Sequence, residues 1–136
     1  IYTEENTLSL HDALPILIGR AAIGYPWIFR EIKQYIQTSK TLAPPTLEER
    51  VEVCKKHLRK SFEWKGPIAG INEMRRHYAN YLKGLPGIKE YRNKLVILKT
   101  VAEVEAVLDE VLQHYQGIEI EHNPIVLENY HEHCAI

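Results

Sequence analysis

Apolar residues recur at three- and four-residue intervals through most of this chain, the period of one face of an α-helix. Trp27, Ile28, Ile32, Tyr35 and Ile36 follow this spacing, with Pro26 at the position where a helix tolerates a missing N–H, so a helix is expected from Pro26 to about Ser39. Leu42-Ala43-Pro44-Pro45 is a rigid linker and the expected boundary. Thr46-Leu47-Glu48-Glu49 has the form of a capping box, and Val51, Cys54, Leu58 and Phe62 follow as an inward face until Gly66-Pro67 stops the helix. A third helix is expected from Ile71 to Lys83 with Ile71, Met74, Tyr78, Tyr81 and Leu82 inward and Gly84 as its stop. Leu85-Pro86-Gly87 forms a turn, and Ile88 to Leu95 a short helix. A second capping pattern, Thr100-Val101-Ala102-Glu103, opens a last helix with Val104, Val107, Leu108, Val111, Leu112 and Tyr115 inward and Gly117 at its end. The fold expected is therefore mainly α, a small helical bundle.

Two stretches depart from this pattern. Thr7 to Ile16 reads TLSLHDALPI, the string that a common short-read sequencing adapter encodes in one frame, and Ile1, Tyr2, Thr3 and Asn6 agree with its upstream part. We therefore read residues 1–16 as a non-native, adapter-derived segment, with native sequence from near Leu17. The tail 117–136 carries Glu119, Glu121, His122, His131, Glu132, His133 and Cys134. His131, His133 and Cys134 are metal-capable, yet their spacing matches no standard zinc motif, and no metal site is assigned. An acidic, loosely docked terminus is the expectation.

Charge changes the picture. The formal net charge of the whole is −1, but residues 50–99 hold 13 Lys and Arg against four Asp and Glu, while residues 100–136 hold eight acids and no Lys or Arg. Such a basic block suits a polyanion; it also suits a solvated helical face, and composition leaves both readings open. Lys55, Lys56, Arg59 and Lys60 cluster on the second helix. Arg76, Asn80 and Lys83 fall at i, i+4 and i+7 on the third, as a polar stripe flanked by Arg75 and His77. These residues suit phosphate neutralisation, which supplies affinity and register. His77 fits either a phosphate contact or a satisfied interface residue. No apolar run is long enough to cross a bilayer. Cys54 and Cys134 lack disulfide or zinc-ribbon spacing, so a reducing cytoplasm is the expected compartment.

Gly19-Arg20-Ala21-Ala22-Ile23-Gly24-Tyr25-Pro26-Trp27-Ile28-Phe29 resembles the GRAAxGxPWIF segment that closes the barrel of tRNA-dihydrouridine synthases, most closely their B-type bacterial branch. Downstream, Met74 to Gly87 is similar to the family's FRKHLxWYLKGLPG segment, with Asn80 where the family commonly has Trp. The resemblance covers roughly Leu17 to Tyr115. It implies the last strand (near Leu17–Arg20) and closing helix of a truncated TIM (β/α)8 barrel over 17–43, and a helical tRNA-binding domain over 44–116. It also implies a parent enzyme that reduces uridine to 5,6-dihydrouridine in tRNA, using flavin mononucleotide (FMN) reduced by NAD(P)H. Gly19 and Arg20 match the residues that close the flavin phosphate site; without the resemblance, Arg20 reads as a surface ion pair. The family's general-acid cysteine has no counterpart: Cys54 reads as a small core residue and Cys134 lies in the unmatched tail. No catalytic residue is expected in the chain, which by itself should be inactive and unable to retain FMN. The alternative is an autonomous helical RNA-binding or protein-interaction module without catalytic activity.

Overall fold

A computed structural model describes residues 17–118 and residue 120. The segment read as adapter-derived and the tail residues His122, His131, His133 and Cys134 lie outside the described residues. A single 3-10 turn at Arg20–Ala22 precedes four helices: α1 (Ile28–Thr38), α2 (Leu47–Tyr81), α3 (Lys89–Ile97) and α4 (Val101–His114). The strand end expected at Leu17–Arg20 is not formed, and no strand occurs among the described residues. A lone extended segment has no neighbour to complete its ladder, and here the chain turns at Arg20 instead.

The N-terminus of α2 is fastened as the sequence predicts. The Glu49 N–H donates to Thr46 Oγ1 at 3.3 Å, and the Thr46 N–H donates to Glu49 Oε2 at 3.0 Å. The helix then breaks at Gly66, whose φ of 82° and ψ of 176° belong to glycine's territory, and Pro67 restarts it. The second arm begins at Pro67 rather than Ile71, because proline at a first helical position needs no N–H partner. The arms, 47–65 and 67–81, fold back against each other: Ser61 Oγ donates to the Gly70 carbonyl at 2.9 Å, His57 meets His77, and Arg50 reaches the carbonyl of Lys83.

Near the reversal the arms approach closely. Ser61, not Phe62, takes the inward position, and Phe62 is turned toward solvent. The reason is the partner surface: a side chain at Gly70 would stand 2.5 Å from the Ser61 carbonyl oxygen, so only small residues fit between the arms there.

The core lies where this hairpin meets α3 and α4. Val51, Cys54 and Leu58 of the first arm, Met74 and Tyr78 of the second, Leu95 of α3 and Val104, Leu108 and Val111 of α4 are all buried. Burial pushes the Cys54 thiol up to about 12, so it is a protonated core group, as its position predicts. Beyond α2, the chain turns through Gly84 and Gly87, both at positive φ, and the Tyr115 hydroxyl donates to the Pro86 carbonyl at 2.6 Å. That bond ties the turn to the end of α4. α1 stands apart: Ile28 is buried, whereas Phe29 and Ile36 are exposed.

Candidate nucleic-acid interface

The residues singled out as cationic fall on three surfaces. The first is the flank of the 47–65 arm that faces α4. There Lys55 Nζ lies 2.6 Å from Asp109 Oδ1, and Arg59 Nε lies 2.6 Å from Glu105 Oε1. On the same arm Lys56 pairs with Glu52 at 3.6 Å and Lys60 with Glu63 at 2.9 Å. Lys94 of α3 likewise faces Glu110 of α4 at 3.6 Å. The charge segregation seen along the chain is thus partly complementary inside the fold: the basic middle packs against the acidic helix that follows it. Solvent-screened surface pairs of this kind add little stability. Their larger effect is to cancel the local field that would attract a polyanion.

The second surface is the outer face of the 67–81 arm and its C-terminal turn. Asn72, Arg76, Ala79 and Lys83 recur at helical spacing and are all exposed, with no acid among them. Arg76 and Lys83 are separated by about 10 Å along the axis. The Lys83 ammonium has no carboxylate partner among the described residues. Arg75 borders this face, half-buried, with its Nε unpartnered. Asn80 is not on the open stripe. It is half-buried and donates from Nδ2 to the Ile23 carbonyl at 2.6 Å.

His77 is turned into the hairpin. Its ring meets His57 edge-on with centroids 4.6 Å apart, and His57 Nδ1 lies 3.2 Å from the Tyr81 hydroxyl. Arg76 Nε–H donates to His77 Nε2 at 3.3 Å, which leaves the neutral ring's proton on Nδ1, a buried atom without a partner. Burial, then His57, then the Arg76 charge hold the His77 imidazole down to about 4. His57 is lowered too, by burial first and then by Lys65 and Arg76. Because the unfolded chain binds protons on these rings near pH 6.5 and the folded chain does not, stability is full above that value. It falls as pH drops from about 6.5 toward 4. Thermal midpoints measured across that window should fall, and His77→Gln should flatten the fall; an equal slope in the variant would show that other groups carry it.

The third surface is the N-terminal turn. Gly19 and Arg20 are exposed, a side chain at Gly19 would meet nothing within 4 Å, and Arg20 has no carboxylate partner among the described residues. This turn is fixed to the hairpin. Gly24, at φ 68°, packs so closely on the 67–81 arm that an added Cβ would stand 2.7 Å from Asn80 Cβ and 2.7 Å from the His77 carbonyl oxygen. With the bond from Asn80 to Ile23, this joins two motifs that lie about fifty residues apart in sequence.

Arg50 escaped the sequence reading. It is 4% exposed, donates from Nη1 to the Lys83 carbonyl at 2.9 Å, and places its guanidinium 5.9 Å from the centre of the Tyr25 ring. Tyr25 in turn donates to Glu31 Oε1 at 2.6 Å. The signal was available: Arg50 interrupts the apolar stripe Leu47, Val51, Cys54, Leu58, where a charge needs a built partner. Neither a group of three or more metal-capable side chains nor a helix long and apolar enough to cross a membrane occurs among the described residues.

Comparison with known proteins agrees with the motifs. The family model described as Dihydrouridine synthase (Dus) matches residues 5–116. A tRNA-dihydrouridine synthase B of Pseudomonas putida is 40% identical over 84 residues, covering 62% of this chain and 25% of that protein. A tRNA-dihydrouridine synthase B of Shewanella oneidensis is 39% identical over 107 residues, covering 76% and 32%. A probable tRNA-dihydrouridine synthase of Mycobacterium leprae is 35% identical over 94 residues, covering 69% and 24%. The chain therefore spans about a quarter to a third of the length of these curated relatives. With a match over most of its length and both motifs joined in one helical body, the chain belongs to the dihydrouridine synthase family.

Proposed function

We propose that this chain is the tRNA-gripping helical part of a flavin-dependent tRNA-dihydrouridine synthase, together with one edge of its flavin phosphate site. The observation that carries the reading is the docking of the Gly19–Gly24 turn onto the 67–81 arm through Asn80 and Gly24. That contact holds an open arginine and an open cationic stripe on one rigid body. In this reading residues 17–43 end the barrel, residues 44–116 form the tRNA-binding domain, and residues 117–136 form a tail. The exposed Phe29 and Ile36 of α1 face the remainder of the barrel. A tRNA partner places the protein in the cytoplasm.

Gly19 and Arg20 fit a phosphate approaching from solvent, since one leaves the backbone open and the other offers an uncommitted guanidinium. FMN, re-reduced by NAD(P)H, would supply the hydride that converts uridine to 5,6-dihydrouridine. This chain contributes electrostatic anchorage and no acid or base to that chemistry. Its two residues cannot enclose a flavin by themselves, and the chain alone is inactive.

RNA contact centres on Arg76 and Lys83, with Arg75, Lys56 and Lys60 at the margins. Lys55 and Arg59 join only by exchanging Asp109 and Glu105 for phosphates, and His77 and Asn80 act by positioning the stripe. Binding of a labelled tRNA, followed by anisotropy across a salt series, tests this. Each phosphate contact contributes about 0.7–0.9 to the slope of log K against log salt, so Arg76→Ala with Lys83→Ala should flatten it by nearly 2. Salt-independent binding, no binding at low salt, or an unchanged slope in the double variant would overturn the proposal.

A further inference from the structure

The tip of the α2 hairpin carries a second recognition feature. Trp64 is 80% exposed and Ile68 is 77% exposed, on either side of the Gly66 reversal, with Phe62 partly exposed behind them. Their support is rigid. The Gly66 conformation admits only glycine-like backbone, Ser61 holds the Gly70 carbonyl across the arms, and Lys65 pairs with Glu73. An exposed indole on a fixed turn loses little freedom on binding, which is the requirement for a stacking platform.

The surroundings identify the partner. From residue 60 to residue 76 there are four cations (Lys60, Lys65, Arg75 and Arg76) and two acids. Both acids, Glu63 and Glu73, are already held by Lys60 and Lys65. The net positive charge of this span is therefore supplied by Arg75 and Arg76, further along the same arm, and complements a polyanion. The tip also continues into the open stripe, since Ile68, Asn72, Arg76 and Ala79 share the exposed face of one arm and Lys83 follows in the turn at its end. A self-association surface is disfavoured by size: an aromatic side chain buries about 150–250 Å², and these three residues fall short of the roughly 800 Å² per partner of a stable dimer.

We infer that Trp64 stacks on an unpaired base of the bound RNA while the stripe beside it neutralises phosphates. The inference rests on the RNA-binding reading above and adds a base contact to it. Stacking on an aromatic face is tolerant of sequence but needs a base free of its neighbours, so it selects loops and ends over continuous duplex.

The test uses the full 136-residue chain, a fluorescein-labelled tRNA transcript and a blunt-ended RNA duplex. Trp64→Ala should weaken tRNA binding by between about fivefold and a hundredfold and leave duplex binding unchanged. Trp64→Phe should restore most of the loss. Added unlabelled tRNA should quench the exposed indole while the buried Trp27 remains bright. If tRNA binds with a steep salt dependence but Trp64→Ala matches the parent, the stacking inference falls and the electrostatic reading stands. Failure of the tRNA to bind at low salt overturns both. Equal weakening on tRNA and duplex, or Trp64-dependent self-association without RNA in sedimentation, also overturns the stacking inference.

Discussion

Gly70→Ala is expected to destabilise the protein by about 3 kcal/mol, although glycine to alanine inside a helix ordinarily stabilises by about 1 kcal/mol. The sign reverses because of what the new methyl group would meet. It would stand 2.5 Å from the Ser61 carbonyl oxygen, 2.7 Å from its carbon and 2.8 Å from Phe62 Cα, all backbone atoms that cannot rotate aside. The arms must separate, and over-packing of this kind costs about 1–3 kcal/mol or more. Separation also stretches the bond from Ser61 Oγ to the Gly70 carbonyl, worth about 1 kcal/mol. Urea midpoints of the parent, Gly70→Ala and Gly19→Ala decide the matter. Gly19, with open space around it, should tolerate the change nearly unaltered. A Gly70→Ala protein as stable as the parent would mean that the arms do not meet as described.

The second large effect is expected at Arg50. Its guanidinium donates to the Lys83 carbonyl in the turn just past the end of α2, and its stem fills space beside Tyr25. Arg50→Ala should cost about 3 kcal/mol, combining a lost charged hydrogen bond, a stranded buried acceptor and lost packing. Arg50→Met keeps most of the volume and removes the burden of a desolvated charge, so about half that loss is expected. Burial lowers the Arg50 pKa, which is the same desolvation seen from the proton's side. If both variants lost the same amount, the polar latch would account for the whole effect and packing for none. A loss below about 1 kcal/mol in Arg50→Ala would show that the bond to Lys83 does not hold the turn.

Much of the architecture was legible from local chemistry. The Thr46 capping box, the Gly66-Pro67 break and the final helix from Thr100 each depend on residues within a few positions, and each stands where the spacing places it. Tyr78, Tyr81 and Cys54 are core groups, as their helical phase requires. Phe62 and Ser61 exchanged roles because neighbouring positions on a helix differ by only 100°, and the deciding fact was a glycine nine residues away.

The candidate interface was less legible. A row of charges says which face a helix presents, but not whether another helix returns to meet it. α4 does return, and it places Asp109 and Glu105 on Lys55 and Arg59. Asn80 shares the stripe's spacing with Arg76 and Lys83 and His77 flanks it, yet the N-terminal turn claims the one and the first arm the other. The sequence by itself determined the helices, their capping residues, most of the core and the family, because caps, periodicity and motifs are short-range properties of the chain. Only the tertiary structure decided which cations remain open to a polyanion. Ion pairing and burial depend on residues fifty positions apart, and those distances are set when the helices pack.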